Sequence, residues 1–392
     1  MNPGILEWLV SHYGQEQMNP GLDRITRAIS PLMKRFEETK VIIIAGTNGK
    51  GETTLCLSKL LESKSHFAWT SPHIVRVTER FRSEKGEIDE ATLRRYIHIC
   101  HKRVLEEKLE LTFYEFLFFV FCHWAAEEPP EYLLLEVGLG GRLDAVNIFD
   151  ASIVLLPSVS RDHQEILGRR YDEILKEKLG TLRPSATLIA FTHLAYLRER
   201  IQTTCERLQV RLVDLESFNI LAAYEFSQRN HFLAYAAFCT LNNQVIDPLN
   251  WTFSEQIFEL RGELLKEKSQ WLFFGSHNCD GMRKLIQFLH SGNYTFAGPP
   301  FDRVIVAFSR RSTADVRVMM KMLNASGLGK IVVTAFEHPK AAAALEMEVL
   351  SRQEGLEFVK DIVSTARTQE GQKILVTGSY YFLGHVMHHL RG

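Results

Sequence analysis

The chain has no CxxC pair, no zinc-type spacing, no internal repeat and no low-complexity tract in its 392 residues. Its six cysteines (Cys56, Cys100, Cys122, Cys205, Cys239 and Cys279) are scattered, which argues against a disulfide framework and against a zinc module. They read as buried thiols in a reducing compartment, which favours the cytoplasm. Charge of one sign is also missing: 46 Lys and Arg face 47 Asp and Glu, for a net charge of -1. That balance gives no basic face for nucleic acid or for an anionic membrane. No apolar run reaches the roughly 20 residues of a spanning helix. The most apolar stretch, Leu111–Ala126, is broken by Glu115 and His123 and is expected to be a buried helix. The opening "MNPGILEWLVSHYG" lacks a basic lead-in and an unbroken apolar run, so a secretory leader is not expected.

What is present is the composition of a soluble globular protein, 45% hydrophobic and 24% charged, long enough for two or three domains. Eight short runs rich in Val, Ile and Leu read as strands buried on both faces: 41–46, 132–138, 152–159, 187–191, 270–276, 303–309, 331–336 and 374–379. Segments with helical spacing separate them, as in "TTLCLSKLLES", where Leu57, Leu60 and Leu61 are expected on one face. Apolar strands alternating with helices predict an α/β fold with mostly parallel sheets. Residues 193–262 carry weak strand signals, and "NHFLAYAAFCTLNN" (230–243) is expected to be a helix closing the first domain. The linker is placed near Leu260–Ser269, giving domains 1–265 and 266–392.

The segment "VIIIAGTNGKGETT" (41–54) joins a buried strand to a helix through Gly46, Thr47, Asn48, Gly49, Lys50 and Gly51. Glycines let the backbone curl until its N–H groups converge on an anion, and the helix starting near Thr53 aims its positive end there. Ordinary strand–helix turns are also rich in glycine; Lys50 within this one singles out phosphate binding. Glu52 occupies the slot where such loops usually hold a hydroxyl for Mg²⁺. Its carboxylate is a possible metal ligand. Beside a phosphate it also costs roughly 4 kcal/mol at about 4 Å and an effective dielectric of about 20 unless something compensates it.

The order of short motifs resembles the folylpolyglutamate synthase/dihydrofolate synthase family of the Mur ligase superfamily. "AGTNGKG" is similar to that family's phosphate loop, and "GLDRI" (21–25), "TSPHIVRVTERFR" (70–82) and "LTFYEF" (111–116) to its substrate segments. "LLEVGLGGRLDAVN" (134–147) matches its most characteristic run, and "DHQEILG" (162–168) with "EKLG" (177–180) its DHxxxLG and EKxG pair. "SHN" (276–278) and "VTGSYY" (376–381) match shorter signatures of the second domain.

The resemblance implies an ATP- and Mg²⁺-dependent ligase that joins L-glutamate to dihydropteroate or a reduced folate through an acyl phosphate. It implies metal ligation by Glu136, His163 and a carbamylated Lys178, with Glu52 the further candidate. Lys50, Lys178 and His163 would be catalytic. Gly46 to Thr53, with His277 and Asn278, would bind nucleotide. Ser71, His73, Glu115, Arg142, Asp144 and Asn147 would border the substrate, Asp144 on the pterin side. Glu115 lies in so apolar a helix that a charged or metal partner is expected for it. Similar family members work as monomers.

Departures gather on the nucleotide side. Besides Glu52, the linker arginine of the family's LPGR-type motif is displaced in "LRGE" (Leu260–Glu263), and Phe274 stands where an Asp is usual. Cys279 replaces a Pro, and Arg310 and Arg311 replace an acidic run. Three other readings therefore stand beside the folate ligase: a ligase for another acid and amine, a weakened homologue that binds a pterin-like ligand or partner, and a phosphate-loop kinase or GTPase.

Overall fold

The computed structural model describes residues 4–15, 19–192, 194–218, 226–249, 251, 261–266, 269–292, 298–362 and 371–391. The chain divides into two compact units, Met1–Ser254 and Glu255–Gly392.

The first unit opens with helices α1 (Ile5–Tyr13) and α2 (Asp23–Met33), which precede strand β1 (Lys40–Ile44) and helix α3 (Lys50–Leu60). Strands β2 (His66–Trp69), β3 (Phe81–Ser83) and β4 (Gly86–Glu87) follow, then helices α4 (Glu90–Glu106) and α5 (Phe113–Glu127). Next come β5 (Tyr132–Glu136), β6 (Ile153–Leu156), α6 (Gln164–Leu167), α7 (Tyr171–Leu179) and β7 (Thr187–Ala190). The unit ends with α8 (Ala195–Leu208), β8 (Arg211–Asp214) and α9 (Phe226–Leu241).

Its eight strands lie in the order β4-β3-β2-β5-β1-β6-β7-β8, parallel except for the β3–β4 hairpin at one edge. From β1 the chain runs to β2 on one side, and from β5 it crosses β1 to reach β6 on the other. Loops therefore diverge at the carboxyl end of β1, the place where ligands gather in open α/β sheets. The central strands are buried along their lengths, as their unbroken Val, Ile and Leu content requires.

Helix α5 is the buried apolar helix expected from 111–126. Thr112 accepts from the Glu115 N–H, and the Glu115 carboxylate accepts from the Thr112 N–H, a reciprocal cap that fixes where the helix begins. Its aromatic rings pack with Trp69 and Phe81.

The second unit contains β9 (Arg261–Lys266), β10 (Gln270–Gly275), α10 (Cys279–Ser291), β11 (Phe301–Ala307), α11 (Thr313–Ala325) and β12 (Gly329–Thr334). It ends with α12 (Ala344–Gln353), β13 (Glu357–Val359), β14 (Lys373–Gly378) and α13 (Tyr380–Arg391). Its sheet order is β13-β12-β11-β14-β10-β9, parallel apart from the edge strand β9.

All eight expected runs are strands. Two readings need correction. The span taken as a linker, 260–269, contains β9, which pairs antiparallel with β10; Leu260 itself lies outside the described residues. Leu57 and Leu61 are buried, but Leu60 is exposed, because a step of one residue turns a helix by about 100°. Strand β2 gave no apolar run in the sequence, being only four residues long and opened by His66.

Candidate functional site

Four neighbouring strands of the first unit, β2, β5, β1 and β6, deliver the candidate residues from their carboxyl ends. After β1 the chain enters residues 45–49, and Gly49 takes a left-handed φ of 90° as it caps α3. A Cβ on Gly49 would collide with the Asn230 side chain, and one on Gly46 would stand 2.7 Å from Pro157 Cγ. Both glycines are thus required by close approach, and Gly49 also by its backbone angle.

The loop is pinned by the segment after β6. Asn48 donates its N–H to Ser158 Oγ (2.9 Å), and Ser158 Oγ donates back to the Asn48 carbonyl (2.8 Å). Thr47 Oγ1 donates to the Ser160 carbonyl and accepts from the Ser160 N–H, each at 3.0 Å. Lys50 Nζ donates to the Thr47 carbonyl at 3.2 Å, which holds its charge over the curl. Four reciprocal bonds at about 1 kcal/mol net each make the loop preformed rather than pliable. Thr53 is buried in the first turn of α3.

Glu52 has partners that the sequence did not reveal. Ser227 donates to its Oε1, Asn230 Nδ2 donates to its Oε2 at 2.6 Å, and His231 Nε2 lies 3.3 Å from Oε1. All three belong to α9. Burial pushes the Glu52 carboxyl up, but His231, Ser227 and Asn230 together outweigh it and hold it below its ordinary value. The carboxylate of Glu52, the further candidate metal ligand, is thus engaged by a cluster of α9 side chains.

Glu136 ends β5, in register with Ile44 of β1, two residues before Gly46. It is buried, and its Oε2 accepts from the Ser71 N–H at 3.0 Å. Ser71 leads a loop organised by the "ER" pair. Glu79 accepts from the N–H groups of Ile74, Val75 and Arg76 at 2.7, 2.9 and 2.6 Å. Arg80, fully buried against Trp69 and Phe113, donates from Nε to His73 Nδ1 at 2.8 Å. That bond leaves the His73 proton on Nε2.

His163 follows β6 with a left-handed φ of 48°, uncommon for a residue with a side chain. Its ring is half-exposed, 3.9 Å from Asp162 Oδ2 and 3.7 Å from Glu165 Oε1. Lys178, near the end of α7, is buried. Burial pulls its amine down to about 7, the Lys50 charge adds to this, and Asp162 and Glu177 oppose it. Lys50 and Asp162 are therefore each near enough to act on the charge of Lys178.

The run 138–147 packs on α7. A Cβ on Gly141 would sit 2.8 Å from the Glu177 carbonyl, and Arg142 donates from Nε to Glu177 Oε1 at 3.0 Å. Asp144 is buried and accepts from the N–H groups of Gly138, Leu139 and Val146 and from the Tyr114 hydroxyl. Burial raises it to about 6 in spite of these bonds. Asn147 donates to the carbonyls of Arg142 and Gly180. Asp144 and Asn147, expected on the substrate side, thus also shape the loop. Glu115 meets Arg24, which donates from Nε to Oε2 (3.2 Å) and from Nη2 to Oε1 (2.9 Å). This is the charged partner its burial demanded, supplied by the "GLDRI" segment.

His277 and Asn278 lie in the second unit, at the end of β10. Asn278 is buried and caps α10 by accepting from the Gly281 N–H at 2.8 Å. Arg310 donates from Nε to the Ala341 carbonyl at 3.3 Å, and Phe274 packs on Phe288. Among the described residues, no three His, Cys, Asp or Glu side chains converge as a metal cage. Sequence reasoning missed Arg24, Ser158, Ser160, Ser227, Asn230 and His231. The signals were present as polar residues inside apolar context, in "LLPSVSRDH" and at the start of "NHFLAYAAF".

No family model matches the chain. It is 24% identical over an alignment of 420 positions to the dihydrofolate synthase/folylpolyglutamate synthase of Bacillus subtilis, covering 95% of this chain and 96% of that protein. The corresponding protein of Haemophilus influenzae is 34% identical over 192 residues, which are 47% of this chain and 43% of that one. In structure the chain resembles the bifunctional folylpolyglutamate synthase/dihydrofolate synthase of Yersinia pestis complexed with AMPPNP and Mn ion. The TM-score is 0.78, with 20% identity and coverage of 100% and 99%. Sequence likeness over nearly the whole length, together with this fold and the motifs at the carboxyl ends of β1, β5 and β6, makes the chain similar to the dihydrofolate synthase/folylpolyglutamate synthases.

Proposed function

We propose that this protein is an ATP- and Mg²⁺-dependent carboxylate–amine ligase that adds L-glutamate to dihydropteroate or a reduced folate. The observation that carries this reading is the preformed phosphate loop held beside Glu136, with Lys50 and Lys178 within electrostatic reach of each other. The relatives' names supply the substrates, and the Yersinia pestis neighbour supplies the nucleotide analogue and the divalent ion.

The chemistry has two displacements. A carboxylate oxygen of the acid attacks the γ-phosphorus of ATP, and ADP leaves. The glutamate amine then attacks the acyl carbon, phosphate leaves with the bonding pair, and the amine loses its proton to solvent or a nearby base. Lys50 and the N–H groups of residues 49–51 would hold the phosphates through both steps.

The residues present fit a magnesium ion. Mg²⁺ keeps several waters and is usually held by one or two protein oxygens plus substrate phosphates, so a three-ligand cage is not needed. Glu136 is the buried carboxylate for it, with His163 beside Asp162 on the next strand loop. Bound there, the ion would neutralise charge on the transferring phosphoryl group. An amine with a pKa of about 7 is largely able to take up carbon dioxide at neutral pH, which supports a carbamate on Lys178 as a further acidic ligand. In the same reading the first domain binds nucleotide and pteroate, the second serves the glutamate side, and the protein is a cytoplasmic monomer that uses no nucleic acid. No helix among the described residues is long and apolar enough to cross a membrane.

Incubation with ATP, Mg²⁺, glutamate and either dihydropteroate or tetrahydrofolate tests the proposal by product mass. A product heavier by one glutamyl residue is expected. No product with either acid would overturn it and favour a weakened or repurposed homologue.

A further inference from the structure

Glu52 stands where a loop hydroxyl would face a metal, yet its carboxylate is turned to the first turns of α9. Both oxygens are engaged there, Oε1 by Ser227 with His231 Nε2 at 3.3 Å, and Oε2 by Asn230 at 2.6 Å. The cluster is buried: the His231 side chain is 8% exposed and that of Glu52 16%. The same Asn230 side chain lies directly on Gly49, the residue whose left-handed turn sets the curl of the loop. Helix α9 has a separate anchor, since Arg229 pairs with Glu216 and lies 4.5 Å from the centre of the Phe191 ring. The Glu52 cluster is therefore not what keeps α9 in the fold. It sets where the start of α9 sits against the phosphate loop.

We propose that Glu52 is a positioning residue, a latch that ties α9 to the phosphate loop and holds Asn230 against Gly49, and that it takes no part in binding the metal. The inference rests on the nucleotide-binding reading above. It also accounts for a carboxylate in a phosphate site. Turned to three polar groups of α9, the charge is compensated within the protein, and the repulsion of roughly 4 kcal/mol expected for a bare carboxylate about 4 Å from a phosphate does not arise. A loosened latch lets Gly49 relax, and the N–H groups of residues 49–51 lose their common focus. Preorganisation of this kind acts on the anion itself, with or without a metal ion.

The test is calorimetric titration of the full chain with ADP, in Mg²⁺ and again in EDTA, for wild type, Glu52→Gln and Ser227→Ala. The latch predicts that Glu52→Gln weakens ADP binding about tenfold, by the same factor in both buffers, since Gln offers one acceptor where the carboxylate offers two. Ser227→Ala, which leaves the carboxylate intact, is predicted to move affinity the same way by a smaller factor. A Glu52→Gln loss confined to Mg²⁺ would make Glu52 a metal ligand and overturn the proposal; unchanged or tighter binding would make it a mere obstruction and overturn it equally. If wild type binds no ADP in either buffer, the nucleotide reading fails, and the latch is then judged by unfolding. A double-mutant cycle between Glu52→Gln and Ser227→Ala that shows coupling keeps the latch, and additive losses reject it.

Discussion

Lys178 is the residue whose titration reports most on its surroundings. Its amine is displaced from an ordinary value of 10.5 to about 7, because burial disfavours the charged form and Lys50 adds repulsion. In the window between about 7 and 10.5 the unfolded chain binds the proton and the folded chain does not, so stability rises with pH. Lys178→Met removes that slope. In EDTA, the variant is expected to gain on wild type near pH 7 and to lose the advantage toward pH 10, by a few kcal/mol across the window. Equal pH dependence of the two proteins in denaturant melts would show that the amine is not desolvated. Asp144 makes a different point at the same scale. Its Oδ2 accepts two N–H groups, from Gly138 and Leu139, where an amide nitrogen would clash donor on donor. Asp144→Asn is expected to cost about 2–3 kcal/mol in the unfolding free energy. An unchanged midpoint would show that these bonds do not hold the loop.

At the scale of elements, the middle of the loop between β2 and β3 is gathered by Glu79. Glu79 gathers three consecutive N–H groups and so fixes the path that carries Ser71 and His73 to the site. Glu79→Ala is expected to raise KM for the pteroate or folate co-substrate about tenfold with a smaller change in kcat, measured by steady-state kinetics. A drop in kcat alone would show that the loop acts in the chemical step instead. This loop also shows what was readable beforehand. The "ER" pair was legible as a motif, but its duties, nesting N–H groups and orienting His73, were not. They depend on Arg80 being wholly buried against Trp69 and Phe113, which arrive from other parts of the chain. The eight central strands were legible because burial on both faces leaves an unbroken apolar run. The edge strands β4, β8, β9 and β13 and the three-residue β3 were not, because short or half-exposed strands leave no such trace. The Glu115–Arg24 pair falls between the two: the need for a partner was legible from burial, its identity only from the fold.

For the whole molecule, the sequence showed a family resemblance and a set of departures, and the structure gives one departure a physical meaning. Position 52 holds, where such loops usually carry a hydroxyl, a compensated carboxylate that binds α9 to the loop. The sequence could not show this because α9 begins 174 positions after Glu52 (226 against 52), and no local pattern links them. The account therefore holds that this loop still handles ATP, and that its altered residues adjust the site without abolishing it. The most direct measurement counts phosphate released against glutamate incorporated, with purified protein, ATP, Mg²⁺, radiolabelled glutamate and dihydropteroate or tetrahydrofolate. The account predicts one phosphate for each glutamate joined, with phosphate release falling to background when the pteroate or folate acid is left out. Phosphate release that ignores the acid, or none with either acid present, would contradict it.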